Sequence, residues 1–249
     1  MLRNDYIMRM IEQFTMVLEK ILFKKEHHMY QEARIDIDQA FTELLGLDHE
    51  AVRVLSLEGL FTLLKLNGRL DTERCKIAAE LLKEDAEVLE LDQDEGAGYD
   101  SYQKALCLYI ELFKQQDDRY GDEADQNIRF IINKLERYEM PDAVKKRVVE
   151  YYELSGEYAR AEDMLFRLLE SNAPDSFDYG KRFYERLLLR SDDDLERGHL
   201  PRDEIQDGLR NWRAGGATSR GNPHDGRPIL YPLLFGKHVD ERLVITFGI

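Results

Sequence analysis

His28, Glu32 and Asp36 stand at i, i+4 and i+8, so on a helix one imidazole and two carboxylates line a single face, and these are donor types that hold a divalent metal. A metal there, completed by an acid from elsewhere, would polarise a substrate or activate water, and the chain would be a metal-assisted enzyme. No second ligand cluster accompanies the three. With 50 Asp and Glu among 249 residues, a solvated helix face produces the same spacing by composition, and that is the reading adopted. Glu196 and His199 have the spacing of di-iron ligands, but Gly198 lies inside the motif and no matching motif exists. Asp92 and Asp94 fit the first and third positions of a calcium loop. Gly96, Ala97 and Gln103 then fall where the fifth position, the turn glycine and the bidentate glutamate belong, so the ligand set fails. The phosphate-loop, nucleophile-elbow and zincin patterns are missing their minimal parts. No catalytic residue and no cofactor is expected.

The elements that would carry any site are helices. In VKKRVVEYYELSGEYARAEDMLFRLLESNAP, Val144, Val148, Tyr151 and Tyr152 share one helix face, Gly156 interrupts, and Tyr158, Ala161, Leu165, Leu168 and Leu169 begin a second stripe at once. Two amphipathic helices joined by so short a turn lie antiparallel and need neighbours to bury both apolar faces. The order Gly156, Tyr158, Ala161, Leu165, Pro174 resembles the second half of a tetratricopeptide repeat, although the proline falls one residue late and Val149 stands where that family prefers Gly or Ala. A generic helical hairpin shows the same stripes. Tyr30, Ala33, Ile37 and Ala40 repeat the offsets of the second stripe, whereas Leu70 and Glu73 match it poorly.

Further stripes predict a first helix capped by Asn4 or Asp5 and running to about Lys25, apolar enough to be packed on two sides, and a second ending at Gly46. A third runs from Asp48 to Asn67-Gly68, and a fourth from Asp71. LDQDEGAG at 91–98 reads as a loop before a helix from Tyr99 to Gln116. Helices after Gly121, Pro141 and Asp175 come next, and two short ones start at Ser191 and Pro201. The fold class is therefore all-α: antiparallel hairpins stacked as a tetratricopeptide-like solenoid over residues 1–210, with 191–210 as a polar capping segment.

Residues 211–249 differ in character. They hold three of six prolines, six of sixteen glycines and the only tryptophan, with ILYPLLFG and RLVITFGI as apolar stretches of strand length. They read as an irregular tail that is disordered or weakly docked, pairs with a partner, or is a non-native extension such as a shifted reading frame appends. The opening NDYIMRMIEQF, the helical body and GHLPRDEIQDGL together resemble an uncharacterised family of bacterial proteins, mostly from Firmicutes, over about residues 1–210. That resemblance implies a bacterial, largely helical protein and assigns no active-site residue.

Net charge is −15, with 17 acidic against 6 basic residues between 71 and 125. Such a surface repels phosphate backbones, so nucleic acid is not an expected partner. No apolar run reaches the roughly 20 residues of a membrane helix, and the N-terminus lacks a secretory segment. Cys75 and Cys107 form no C-x-x-C pair and read as buried free thiols. A cytoplasmic, non-catalytic module that binds a protein or peptide is the expectation. In the tetratricopeptide phase its groove would be lined by Glu58, Thr62, Lys65, Lys146, Glu150 and Glu153, and Asn127 and Asn133 could clamp a peptide backbone.

Overall fold

The computed structural model describes the backbone of residues 2–115, 119–171 and 175–218, and side chains within those spans except for 2–6, 95 and 211–218. Pro174 and the two strand-length stretches of the tail lie outside the described residues. Among the described residues there are twelve helices and one two-stranded hairpin, so the chain is all-α in substance. The residues divide into two compact units, 1–147 and 148 onward, each described by itself.

In the first unit, α1 (Leu2–Glu26) and α2 (Tyr30–Leu45) form a hairpin. The α1 helix begins at Leu2, ahead of the expected caps. It turns only one face inward, through Met10, Phe14 and Ile21, while the apolar Ile11 and Leu22 are exposed, so it is not packed on two sides as expected. Gly46, at φ 64°, closes α2 as expected by donating to the carbonyls of Phe41 and Thr42. The expected third helix is instead two, α3 (His49–Val54) and α4 (Leu57–Leu63). Leu55 is extended, and the Ser56 hydroxyl accepts the Gly59 N–H at 3.1 Å, so a serine cap restarts the helix where the apolar stripe gave no sign of a break. Asn67 and Gly68, at φ 52° and 77°, form the turn between β1 (Lys65–Leu66) and β2 (Arg69–Leu70). Two successive positive φ angles make the tight turn that favours Asn-Gly between strands, which is why a helix end did not form there.

Asp71 caps α5 (Thr72–Leu91), its carboxylate accepting the Arg74 N–H. The expected loop shrinks to residues 92–94, because Asp94 caps α6 (Glu95–Lys114) four residues early. Gly98 explains the glycine in a helix: a Cβ there would stand 3.0 Å from the Ala86 carbonyl, so its absence lets α5 and α6 close up. These two pack more extensively than any other pair, with α2 against α5 and α7 (Gly121–Leu135) against α6. Residues 101–110 of α6 are all buried.

The two stripes on either side of Gly156 form α8 (Asp142–Leu154) and α9 (Tyr158–Glu170), with Gly156 at φ 78° between them. Val144, Val148, Tyr151, Tyr152, Tyr158, Ala161, Leu165 and Leu168 are all buried, as their spacing requires. The second unit continues with α10 (Ser176–Leu187), α11 (Asp192–Arg197) and α12 (Arg202–Thr218). The tail was expected to begin at 211. The α12 helix carries eight residues past 210, and residues 219–249 lie outside the described residues. No described helix is long and apolar enough to cross a membrane.

Candidate functional site

The interior of the first unit holds an unusual share of charge. Asp85 lies on the apolar stripe of α5 and is fully buried. It receives Arg53 Nη2 at 2.8 Å and the Ser101 hydroxyl at 2.7 Å, and His49 Nε2 stands 3.6 Å away. The other imidazole nitrogen lies 2.5 Å from Asp38, and the ring stacks on Phe41 at 4.4 Å. Serine, histidine and aspartate are the residues of a hydrolytic triad, but the connections are wrong for one. A nucleophilic serine donates to histidine, whereas Ser101 donates to a carboxylate and all three side chains are buried. The cluster fastens α2, α3, α5 and α6 to one another.

A second buried group runs along the next turns of α5. Lys25 of α1 joins Glu84 at 2.5 Å and Glu87 at 2.7 Å, and Lys83 joins Glu80 at 2.8 Å. Burial pushes the Glu80 carboxyl upward, but Lys83 and Lys76 overcome it and hold Glu80 at about 2. Glu84 goes the other way: burial and Glu87 raise it against Lys25 and Lys83. Asn127 of α7 donates to Glu80 at 3.3 Å and accepts from Lys83 at 3.1 Å, so the amide expected to clamp a peptide is engaged inside the fold. Asn133 is exposed. Burial pushes both thiols up, Cys107 to about 12, and neither is in a disulfide.

Beside the Asp85 cluster the surface opens into a depression of about 390 Å³. Leu55, Leu57, Pro141, Ala143 and Val144 form an apolar wall, and Arg53, Glu58, Asp100, Gln103 and Lys104 supply the polar lining. Lys104 is 8 % exposed, and its ammonium donates to the carbonyls of Val52, at 3.0 Å, and Arg53, at the C-terminal end of α3. Burial lowers its pKa, Asp100 opposing and Arg53 adding to the effect. The depression thus balances two cations against two carboxylates beside an apolar wall.

Of the six side chains expected in a groove, Glu58 lines this depression. Thr62 turns its hydroxyl back to the Glu58 carbonyl, and Lys65 is exposed on β1. Lys146 is half-buried on α8 in the first unit, and Glu150 is half-buried in the second. Glu153 is held by Arg186 through paired bonds of 2.8 and 2.7 Å. The three metal-donor candidates do not converge. His28 meets the Tyr30 hydroxyl at 2.7 Å, Asp36 pairs with Lys24 at 2.7 Å, and Glu32 is exposed. Among the described residues no group of three His, Cys, Asp or Glu side chains is placed to hold a metal.

Sequence reasoning passed over Asp85, Ser101 and Lys104. The signal for Asp85 was present: it comes four residues after Leu81 and three before Val88, a charge on the buried stripe. Nothing local marks Lys104, whose partners lie 51 and 52 residues away. No curated protein and no solved structure shows a significant match to the chain. A family model described as a family of unknown function (DUF6483) matches residues 1–214, most of the chain, and the protein belongs to that family.

Proposed function

We propose that the chain is a non-catalytic, cytoplasmic module that binds a protein or peptide, built from tetratricopeptide-like hairpins. The depression between α3, α4, α6 and the start of α8 carries this reading. Its apolar wall suits a side chain of an extended peptide, while Gln103, Arg53, Glu58 and Asp100 offer donors and acceptors for the backbone around it. The buried charges behind it have partners within the fold, which fits a rigid recognition surface better than a reaction site. Glu58 keeps its place as an expected contact. The strongly negative surface favours proteins over nucleic acids as partners.

A photo-crosslinking residue at position 58 or 143 of the full chain, in cells of the source organism, tests this directly. The same adduct from both positions, absent when the probe sits at the exposed Arg129 of α7 and lost with Ala143→Trp, is the expected result. Indiscriminate adducts from all three positions, or none at 58 and 143, reject the depression as the binding surface.

A further inference from the structure

The α1 helix is 25 residues long, about 37 Å, and α2 is 16, about 24 Å, so α2 cannot cover the whole of its neighbour. On one flank of the buried Met10, Phe14 and Ile21, α1 presents an apolar row of Met8, Ile11 and Leu22, 60, 42 and 37 % exposed. Beside it Glu12, Glu19 and Glu26 recur every seventh residue, all exposed, and no ion pair among the described residues engages them. Met16 and Phe23, each 56 % exposed, lie on the far side of the glutamates. Apolar rows on both sides of an acidic one are an arrangement that water alone does not favour.

We propose that this face of α1 docks a basic amphipathic helix of a protein partner, with an apolar row flanked by Lys or Arg at seven-residue spacing. Lysine and arginine stems can lie on Met16 and Phe23 while their charged heads reach the glutamates, and the partner's apolar row covers Ile11 and Leu22. A second copy of the chain is a poor occupant, because a two-fold pairing across this face sets the glutamate row against itself. The surface differs from the depression, so the two stand or fall separately.

The test uses the full chain and a fluorescein-labelled peptide of about 18 residues with leucine and lysine in heptads, beside its leucine–glutamate counterpart. Anisotropy titrations at about 50 and 300 mM NaCl give the affinities. The lysine peptide binds, and binds more weakly in the higher salt. Reversal of Glu12, Glu19 and Glu26 to Lys weakens it at least about tenfold and creates binding of the glutamate peptide. Met16→Ser with Phe23→Ser weakens both combinations by about tenfold without loss of helix content by circular dichroism. A lysine-peptide affinity that survives the triple reversal within about twofold overturns the proposal, since binding then belongs to the acidic surface at large. So does a chain that sediments as a dimer and becomes a monomer with Phe23→Ser.

Discussion

Glu162 and Glu80 sit at opposite ends of the carboxylate range, and burial acts on both. At Glu162 burial dominates: despite the 2.6 Å bond from the Tyr184 hydroxyl, and with Asp163 and Glu204 adding repulsion, its carboxyl rises to about 7. An unfolded glutamate titrates near about 4.3, so the folded state keeps this proton where the unfolded state has lost it. The resulting stability is fully present below about pH 4.3 and is lost as pH rises through about 7, a fall on the order of 3–4 kcal/mol from this one group. Urea unfolding of Glu162→Gln should show that descent flattened. Glu80, held at about 2, has the opposite sign. Its contribution is present above about pH 4.3 and lost as pH falls toward 2, so Glu80→Gln should destabilise at pH 6 and lose the difference from the parent in strong acid. If both variants keep the parent's pH profile, the charges assigned to these two positions are wrong.

Among the elements, the start of α9 packs closely against Gly198, the residue that ends α11. A Cβ on Gly198 would stand 2.3 Å from Tyr158 Cδ2 and 2.6 Å from the Gly156 carbonyl, while the Gly198 carbonyl accepts the Ala159 N–H at 3.0 Å. Gly198→Ala must therefore push the α11 turn off the start of α9, and a loss of about 2–3 kcal/mol by chemical denaturation is expected. Leu165 tests the hairpin core: fully buried on α9, it should cost roughly 2–5 kcal/mol when changed to Ala, against less than about 0.5 kcal/mol for a surface site. These two positions also mark the boundary of what can be read from sequence. Leu165 was legible because helical periodicity is local, and the stripes of α2, α5, α7, α8 and α9 share that property. Gly198 falls between the short helices expected from Ser191 and Pro201, and its contact with Tyr158, 40 residues away, arises only in the packed unit. The break at Leu55-Ser56 was written in a capping serine, overridden by an apolar stripe that continues across it, whereas Asn67-Gly68 reads as the end of a helix although the same two residues suit a hairpin turn. Of the depression, only Glu58 was legible, since Lys104 and Arg53 acquire their setting from chain segments some fifty residues apart.

For the molecule as a whole, charge balance sets the sign of the salt response. The net charge is −15, and residues after 210 are basic by two, so residues 1–210 are more acidic than the chain. Many ion pairs cross its surface, such as Arg129 with Asp125 and Lys181 with Glu185, but exposed pairs contribute little, typically about 0–1 kcal/mol. Repulsion among the unmatched carboxylates acts over the roughly 10 Å that salt screens near 0.1 M. Raising NaCl from about 10 mM to 0.3 M should therefore raise Tm by a few degrees, where about 1 kcal/mol is worth about 2–4 °C in a chain of this size. Removing charge should do the same without salt. Glu43 in the last turn of α2 and Glu136 at the end of α7 are exposed acids beside helix C-termini, where negative charge is also unfavourable to the helix. Glu43→Gln with Glu136→Gln should raise Tm at low salt and shallow the salt dependence. A Tm that falls as salt is added would show that the paired charges on α5, with Lys25, Lys76 and Lys83 at their centre, outweigh the repulsion around them.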